Sequence, residues 1–325
     1  MIGPMERGRS MDTIWIVCIA VAALLLLLLA VCFVCYYMAF YSPTRKPLGE
    51  EEYRYPQGKI YAPYVEKMKV WMQEARKMPH EQVSVKSHDG LTLRGKLYEY
   101  APGAIVELMF HGYRSDSERD MCGGVQRCFR LGRSALIVDQ RGCGTSDGHT
   151  ISFGIQERKD CLKWVEFLIQ KYGKDVRIVL TGISMGASTV MMAGGMELPE
   201  NVVGIIADCG YSTPKKIIQK VMKQIHVPAK LMYPFVKLGA RIYGGFPLEE
   251  TDCLQAMSRC KVPVFFAHGE ADAFVPYEMS VENYEACRAP KKLLNIPEAG
   301  HGLCYMLAPD TYCEALLEME QYYRK

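Results

Sequence analysis

Residues Gly182-Ile183-Ser184-Met185-Gly186 constrain this chain more than any other stretch. They follow a short apolar run at 176–180 and precede an Ala- and Met-rich segment at 187–196. That order is strand, sharp turn, helix. A turn this tight drives its central residue toward strained backbone angles and crowds its neighbours. Glycines two positions on either side of the serine remove the Cβ clashes. The serine hydroxyl is thereby presented at the C-terminal end of a strand and at the start of a helix. G-x-S-x-G is short enough to arise by chance, so its weight depends on what surrounds it.

The surroundings repeat the same grammar. Alternating residues at 83–85 and 91–98 flank His88-Asp89-Gly90 and read as a hairpin. Apolar runs bounded by turn residues follow at 104–110, 135–139, 176–181, 202–207, 262–267 and 293–296. Helical segments separate most of them. The clearest is 153–172, with Ile155, Leu162, Trp164, Val165 and Leu168 on its apolar face. Near-continuous apolar strands alternating with helices predict a buried, mostly parallel sheet in one domain, residues 80–325. One long excursion interrupts the alternation between 207 and 262. Within it, 213–243 reads as two helices parted at Pro228, rich in Lys and in Met, Tyr and Phe. A cap over the sheet edge at about 212–250 is the functional reading, and a solvated amphipathic excursion the plainer one.

The N-terminal part obeys a different rule. No charged residue lies between Asp12 and Arg45, and 24–29 is an unbroken run of leucines. A bilayer span needs roughly 20 apolar residues, more than a secretory signal's apolar region of about 7–15. The stretch runs into Tyr36-Tyr37 and Phe40-Tyr41, which read as interfacial aromatics rather than a cleavage site. We expect a tail at 1–12, one transmembrane helix at 13–41, and a linker with an amphipathic helix at 42–79. That helix carries Tyr64, Met68, Trp71, Met72 and Ala75 at helical spacing, a stripe to pack on the domain or to lie on the bilayer. Arg7 and Arg9 precede the span, and Arg45, Lys46, Arg54 and Lys59 follow it. The count favours a cytoplasmic domain, whereas a short basic N-terminus before an apolar span often sends the rest outside.

The 325 residues carry a net charge of +3 and no Lys/Arg-rich run, which sets nucleic-acid binding aside. Of thirteen cysteines, the ten outside the span are irregularly spaced and read as small buried apolar residues, in a reducing compartment or from an anaerobic source. The only C-x-x-C, Cys32 to Cys35, falls inside the span. The seven histidines are scattered, and none has a zinc-ligand partner at suitable spacing, so no metal is expected.

A serine hydroxyl needs a base within hydrogen-bond reach, and the base needs an orienting acid. In a parallel sheet the strand C-termini share one edge, so candidates should follow strands. His301 follows the last strand between Gly300 and Gly302. Asp272 lies just past the strand at 262–267, with Glu270 nearby, and is preferred over Asp208, which follows the preceding strand. The developing oxyanion needs donors. The backbone N–H of Met185 is one, and that of Tyr113, in the loop His111-Gly112-Tyr113, is the other candidate. His111 reads as a residue that holds this loop.

These motifs, with Asp139-Gln140-Arg141-Gly142-Cys143-Gly144-Thr145-Ser146 after the fourth strand, resemble the α/β-hydrolase superfamily over about residues 80–325. The order Ser184, Asp272, His301 is the chain order expected of that fold. The small cap and the apolar N-terminal segment are similar in layout to Bem46-like serine hydrolases and bacterial membrane-anchored esterases. The resemblance implies structural roles for Asp139 and Arg141, hydrolysis through an acyl-enzyme and no cofactor. We therefore expect an α/β-hydrolase fold with a helical cap and one transmembrane helix. The expected activity is a membrane-anchored serine esterase acting on a small-molecule ester or an acyl-lipid. The alternatives are a peptidase or amidase similar to prolyl-oligopeptidase catalytic domains, and a non-catalytic scaffold.

Overall fold

The computed structural model describes residues 4–43, 49 and 51–323. Arg45, Lys46, Pro47 and Glu50 of the expected linker lie outside the described residues. Eight strands form one sheet: β1 (Glu81–Lys86), β2 (Thr92–Tyr98), β3 (Val106–Phe110), β4 (Ser134–Asp139), β5 (Ile178–Ile183), β6 (Val202–Asp208), β7 (Val264–Gly269) and β8 (Lys291–Ile296). Their order is β1-β2-β4-β3-β5-β6-β7-β8. Only β2 runs against its neighbours; the pairs from β4 through β8 are all parallel. β3, β4, β6 and β7 are buried along their whole length. That is why they read as continuous apolar runs, while β1 alternates.

The helices are α1 (Pro4–Ala39), α2 (Val65–Lys77), α3 (Ser117–Arg130), α4 (Glu157–Tyr172), α5 (Met185–Gly194), α6 (Pro214–Gln224), α7 (Ala229–Ile242), α8 (Cys253–Met257), α9 (Tyr277–Ala286), α10 (Cys304–Leu307) and α11 (Pro309–Glu320). Two apolar layers sandwich the sheet. Met121, Val125, Tyr312 and Leu316 of α3 and α11 pack on one face, together with Met68 and Met72 of α2. Trp164, Val165, Val190 and Met279 of α4, α5 and α9 pack on the other. The stripe on α2 is thus spent on the domain. A Cβ at Gly123 of α3 would meet the Trp71 ring at 2.6 Å, so the two helices approach closely.

Element boundaries differ from the sequence reading by a few residues. β5 begins at Ile178 and continues through Gly182 and Ile183, because the strand runs straight into the elbow. α4 begins at Glu157, after a turn in which Phe153 takes a φ of 54°. α1 starts at Pro4, within the expected tail. α6 and α7 are the two expected cap helices, and Pro228 caps the second.

Within α1, Asp12–Ala39 is 28 residues long and apolar enough to cross a membrane. Most of it is exposed, but one face of its last turns is not. Cys32, Cys35, Tyr36 and Phe40 are buried, and α1 packs along α7. A Cβ at Gly239 of α7 would meet the Cys32 carbonyl oxygen at 2.4 Å. Phe40 stacks edge-on against Phe153 and Phe246. Of the four aromatics read as interfacial, Tyr36 and Phe40 therefore face protein, while Tyr37 is exposed.

Candidate active site

The chain winds one way from β3 to β4 and then crosses back to β5, so the sheet's switch point lies between β3 and β5. Crevices at the carboxyl ends of such strands are where open α/β sheets bind ligands. The β5–α5 turn places Ser184 there with φ 55° and ψ −118°. A Cβ on Gly186 would lie 1.9 Å from the Phe110 oxygen, and one on Gly182 would lie 2.2 Å from the Gly186 carbonyl carbon. Both glycines are thus required by contact with backbone. The Ser184 N–H donates to the Asp208 oxygen at 2.8 Å, which fixes the elbow to β6.

The structure brings together the three residues that the sequence reading paired. His301 Nε2 lies 2.9 Å from Ser184 Oγ, and His301 Nδ1 lies 2.6 Å from Asp272 Oδ2. A carboxylate accepts only, so Nδ1 carries the proton. Nε2 of the neutral ring is then free to accept from the Ser184 hydroxyl. Burial alone would raise the Asp272 carboxyl. Hydrogen bonds from His268 and His301, the electrostatic attraction of His301 and the Val275 N–H outweigh it, holding the carboxyl well below the ordinary carboxylate range. The Phe274 and Val275 N–H groups both donate to Oδ1 at 2.8 Å.

His268 is the participant that the sequence reading passed over. Its Nε2 faces two acceptors, Asp272 Oδ2 at 3.1 Å and the Val275 oxygen at 2.9 Å, so it carries the proton. Nδ1 then accepts from the Ser280 hydroxyl at 2.6 Å. The available signal was its position four residues before Asp272, at the end of a fully buried strand.

Asp208 does not reach His301 by any hydrogen bond described. Its Oδ2 accepts from the Tyr312 hydroxyl at 3.1 Å, and burial raises its carboxyl. Glu270 turns away and accepts from Asn295. His111 is wholly buried, with Nδ1 on the Gly112 oxygen and Nε2 accepting from the Gln140 N–H. Both ring nitrogens thus hold backbone. Asp139 accepts from Ser117 N–H and from Thr145, and Arg141 pairs with Asp160 and Asp89. These contacts brace the loop after β4. Cys209, Asp272 and His301 place ligand atoms within 4.8 Å of one another. Burial raises the Cys209 thiol far above its ordinary value, and the other two groups are engaged in the hydrogen bonds above, so the set is a poor metal donor set.

The loop after β3 lies against the serine. A Cβ at Gly112 would come 3.5 Å from Ser184 Cβ, and the Gly112 N–H is held by Asp120 at 2.8 Å. Tyr113 follows, with its hydroxyl donating to the Ala39 oxygen at 2.7 Å; burial pushes that phenol up to about 12. Met185 opens α5, and first-turn N–H groups have no acceptor within their own helix. Over Ser184 lies a cavity of about 590 Å³, lined by Met185, Tyr113, Phe153, Tyr211, cap residues and the end of α1.

The strand order, the elbow and the groups at the strand ends define a class by architecture: the chain has an α/β-hydrolase fold. Residues 101–247 match the family model described as serine aminopeptidase, S33. Among curated relatives, uncharacterized protein YqkD of Bacillus subtilis is 28% identical over 189 residues, 58% of this chain and 62% of that protein. The chain spans between 41% and 62% of the length of the curated relatives it matches. The Pyrococcus furiosus esterase Pf2001 superposes with a TM-score of 0.64 at 20% identity, covering 88% of this chain and 99% of that one. Ferulic acid-bound Est1E of Butyrivibrio proteoclasticus gives 0.57 at 19%, covering 74% and 99%.

Proposed function

We propose that this chain is a membrane-anchored serine hydrolase that cleaves carboxylic esters through an acyl-enzyme. One observation carries the reading: the hydrogen-bonded series Ser184, His301, Asp272, at 2.9 and 2.6 Å, opens onto an apolar cavity. Ser184 Oγ attacks the ester carbonyl as its proton passes to His301 Nε2. Asp272 holds the resulting imidazolium. Backbone N–H groups of Tyr113 and Met185 take the oxyanion. Collapse breaks the bond to the alcohol oxygen, which leaves with the proton from His301. Water then gives a proton to His301 and adds to the acyl carbon; collapse breaks the bond to Ser184 Oγ, which takes that proton back from His301 as the carboxylic acid leaves.

The N-terminal helix supplies the anchor. Asp12–Ala39 is about 42 Å long at 1.5 Å per residue, more than a hydrocarbon core of about 30 Å. The peptidase reading is favoured by the name of the matching family model. The cavity speaks against an aminopeptidase: none of the described residues lining it is a carboxylate that would hold an α-ammonium group.

The test is fluorophosphonate labelling of the full chain, expected for wild type and lost in Ser184→Ala. It is paired with p-nitrophenyl esters and a panel of peptide nitroanilides. Turnover of peptides with inert esters would replace this reading with the peptidase. No labelling of folded protein would end both.

A further inference from the structure

The cavity over Ser184 is built by two parts of the chain that a tethered soluble enzyme would keep separate. One wall is the cap, with Ile218, Met222 and Val236 of α6 and α7. The other is the end of the apolar helix, with Ala30, Val31, Val34, Cys35, Met38 and Ala39. Lining residues Val34, Met38 and Ile225 are also exposed, so the cavity reaches the surface between α1 and the end of α6. Leu231 and Ile242 of the cap, and much of the helix itself, also expose apolar side chains.

The helix end is also fastened to the loop that carries Tyr113. The Tyr113 hydroxyl donates to the Ala39 oxygen at 2.7 Å. Arg114 Nη2 donates to the Met38 oxygen at 3.0 Å and the Tyr41 oxygen at 2.7 Å, closing the C-terminal carbonyls of α1. From the other side, the Tyr36 hydroxyl meets Thr150 Oγ1 at 2.7 Å, and the Tyr243 hydroxyl donates to the Leu29 oxygen at 3.0 Å.

Length decides where this junction sits. About 20 residues fill the hydrocarbon core. Counted from the charge at Asp12, that supply ends near Val31, where the cavity lining begins. On that count the opening falls at the membrane interface. An acyl chain leaving the bilayer there would meet the apolar lining residues of α1 and the cap on its way to Ser184.

We propose that the last turns of α1 are a wall of the acyl-binding site, and that the substrate is a bilayer-resident lipid ester. Its acyl chain enters sideways between α1 and α6–α7. This rests on the hydrolase reading above and adds to it the source of the substrate and its path.

The full chain in phosphatidylcholine vesicles tests it. Hydrolysis of p-nitrophenyl palmitate is compared with that of p-nitrophenyl butyrate. Val34→Trp, which narrows the opening at an exposed position, is expected to lower the long-to-short ratio of kcat/KM at least tenfold. Leu26→Trp, on the same helix but outside the cavity, keeps the ratio within twofold. In a second arm, an alkyl fluorophosphonate bearing a diazirine at the end of a sixteen-carbon chain is attached to Ser184 and irradiated. Cross-links to the peptide containing residues 30–38 are expected. An unchanged ratio in Val34→Trp, or cross-links confined to other elements, with Ser184 still labelled, overturns the path and leaves the hydrolase intact. Failure of Ser184 to label in wild type removes both.

Discussion

His268 Nε2 and His301 Nδ1 converge on the same oxygen of Asp272, at 3.1 and 2.6 Å. One histidine is buried and held by Ser280, and the other faces Ser184. Asp272 is therefore gripped from behind by a group that never meets substrate. With the Phe274 and Val275 N–H groups on Oδ1, the carboxylate has one permitted orientation, and that orientation sets the ring of His301.

Replacing His268 by Phe should remove one donor while filling the space. His268 is a positioning residue, so the expected loss is in kcat, about tenfold, with KM little changed. Asp272 loses a hydrogen bond to its charged form, so its folded pKa rises. A depressed carboxylate adds stability that is present above its unfolded pKa of about 3.9 and is lost as pH falls below it. The variant should accordingly lose less of its melting temperature than wild type when pH is lowered through about 4. An equal fall in both proteins would contradict this account.

A second buried carboxylate stands under the sheet. Glu107 of β3 is fully buried and accepts from Arg127 and from Arg133, the latter at 2.6 Å, while Arg133 also reaches Glu320. Burial alone would raise Glu107; the two guanidiniums hold it down at about 2. Glu107→Gln takes from Arg127 the carboxylate it pairs with and leaves Arg133 to Glu320, and about 3–5 kcal/mol should be lost near neutral pH. Here too the folded pKa is depressed, so the wild-type advantage is complete above the unfolded value of about 4.3 and shrinks as pH falls toward 2. Melting curves of both proteins between about pH 7 and 3 read this directly, and a constant gap would refute it.

The cap is latched to the loop that carries the acid. Lys220 Nζ of α6 donates to the Ala273 and Phe274 carbonyl oxygens at 2.5 and 2.7 Å. Lys220→Met keeps the apolar stem and removes the donors. The expected result is faster hydrogen exchange across α6 with a melting temperature changed by no more than a few degrees, because the latch is exposed and its net worth small. Unchanged exchange in α6 would show that the latch holds nothing.

Ser184, Asp272 and His301 were legible because each follows a run of apolar residues, and a parallel sheet brings such positions to one edge. Elements that pack on two sides announce themselves by composition. His268 was not legible: whether a histidine at a strand end points at Asp272 depends on ring orientation, and ring orientation depends on Ser280, twelve residues later. The docking of α1 was hidden for another reason. A helix apolar all round shows no stripe, so nothing separates lipid-facing from protein-facing sides. The trace that existed was Cys32, Tyr36 and Phe40 at spacings of four, less uniformly aliphatic than the leucines before them.

Gly239 is where that docking is most exposed to a single change. The Cys32 carbonyl oxygen lies 2.4 Å from where a Cβ would stand, and the Tyr36 nitrogen 3.3 Å away. Neither is a side chain that can swing aside. Gly239→Leu must therefore push α7 off α1, and overpacking of this kind costs about 1–3 kcal/mol. α1 forms part of the cavity wall and its end is bonded to Tyr113. Displacement should therefore reach the chemistry as well as the stability. We expect a lower melting temperature in detergent and a fall in hydrolysis of long-chain esters steeper than that of short ones. If the variant is destabilised but hydrolyses esters of all chain lengths with the wild-type pattern, the α1–α7 contact is a joint alone and the acyl wall lies elsewhere.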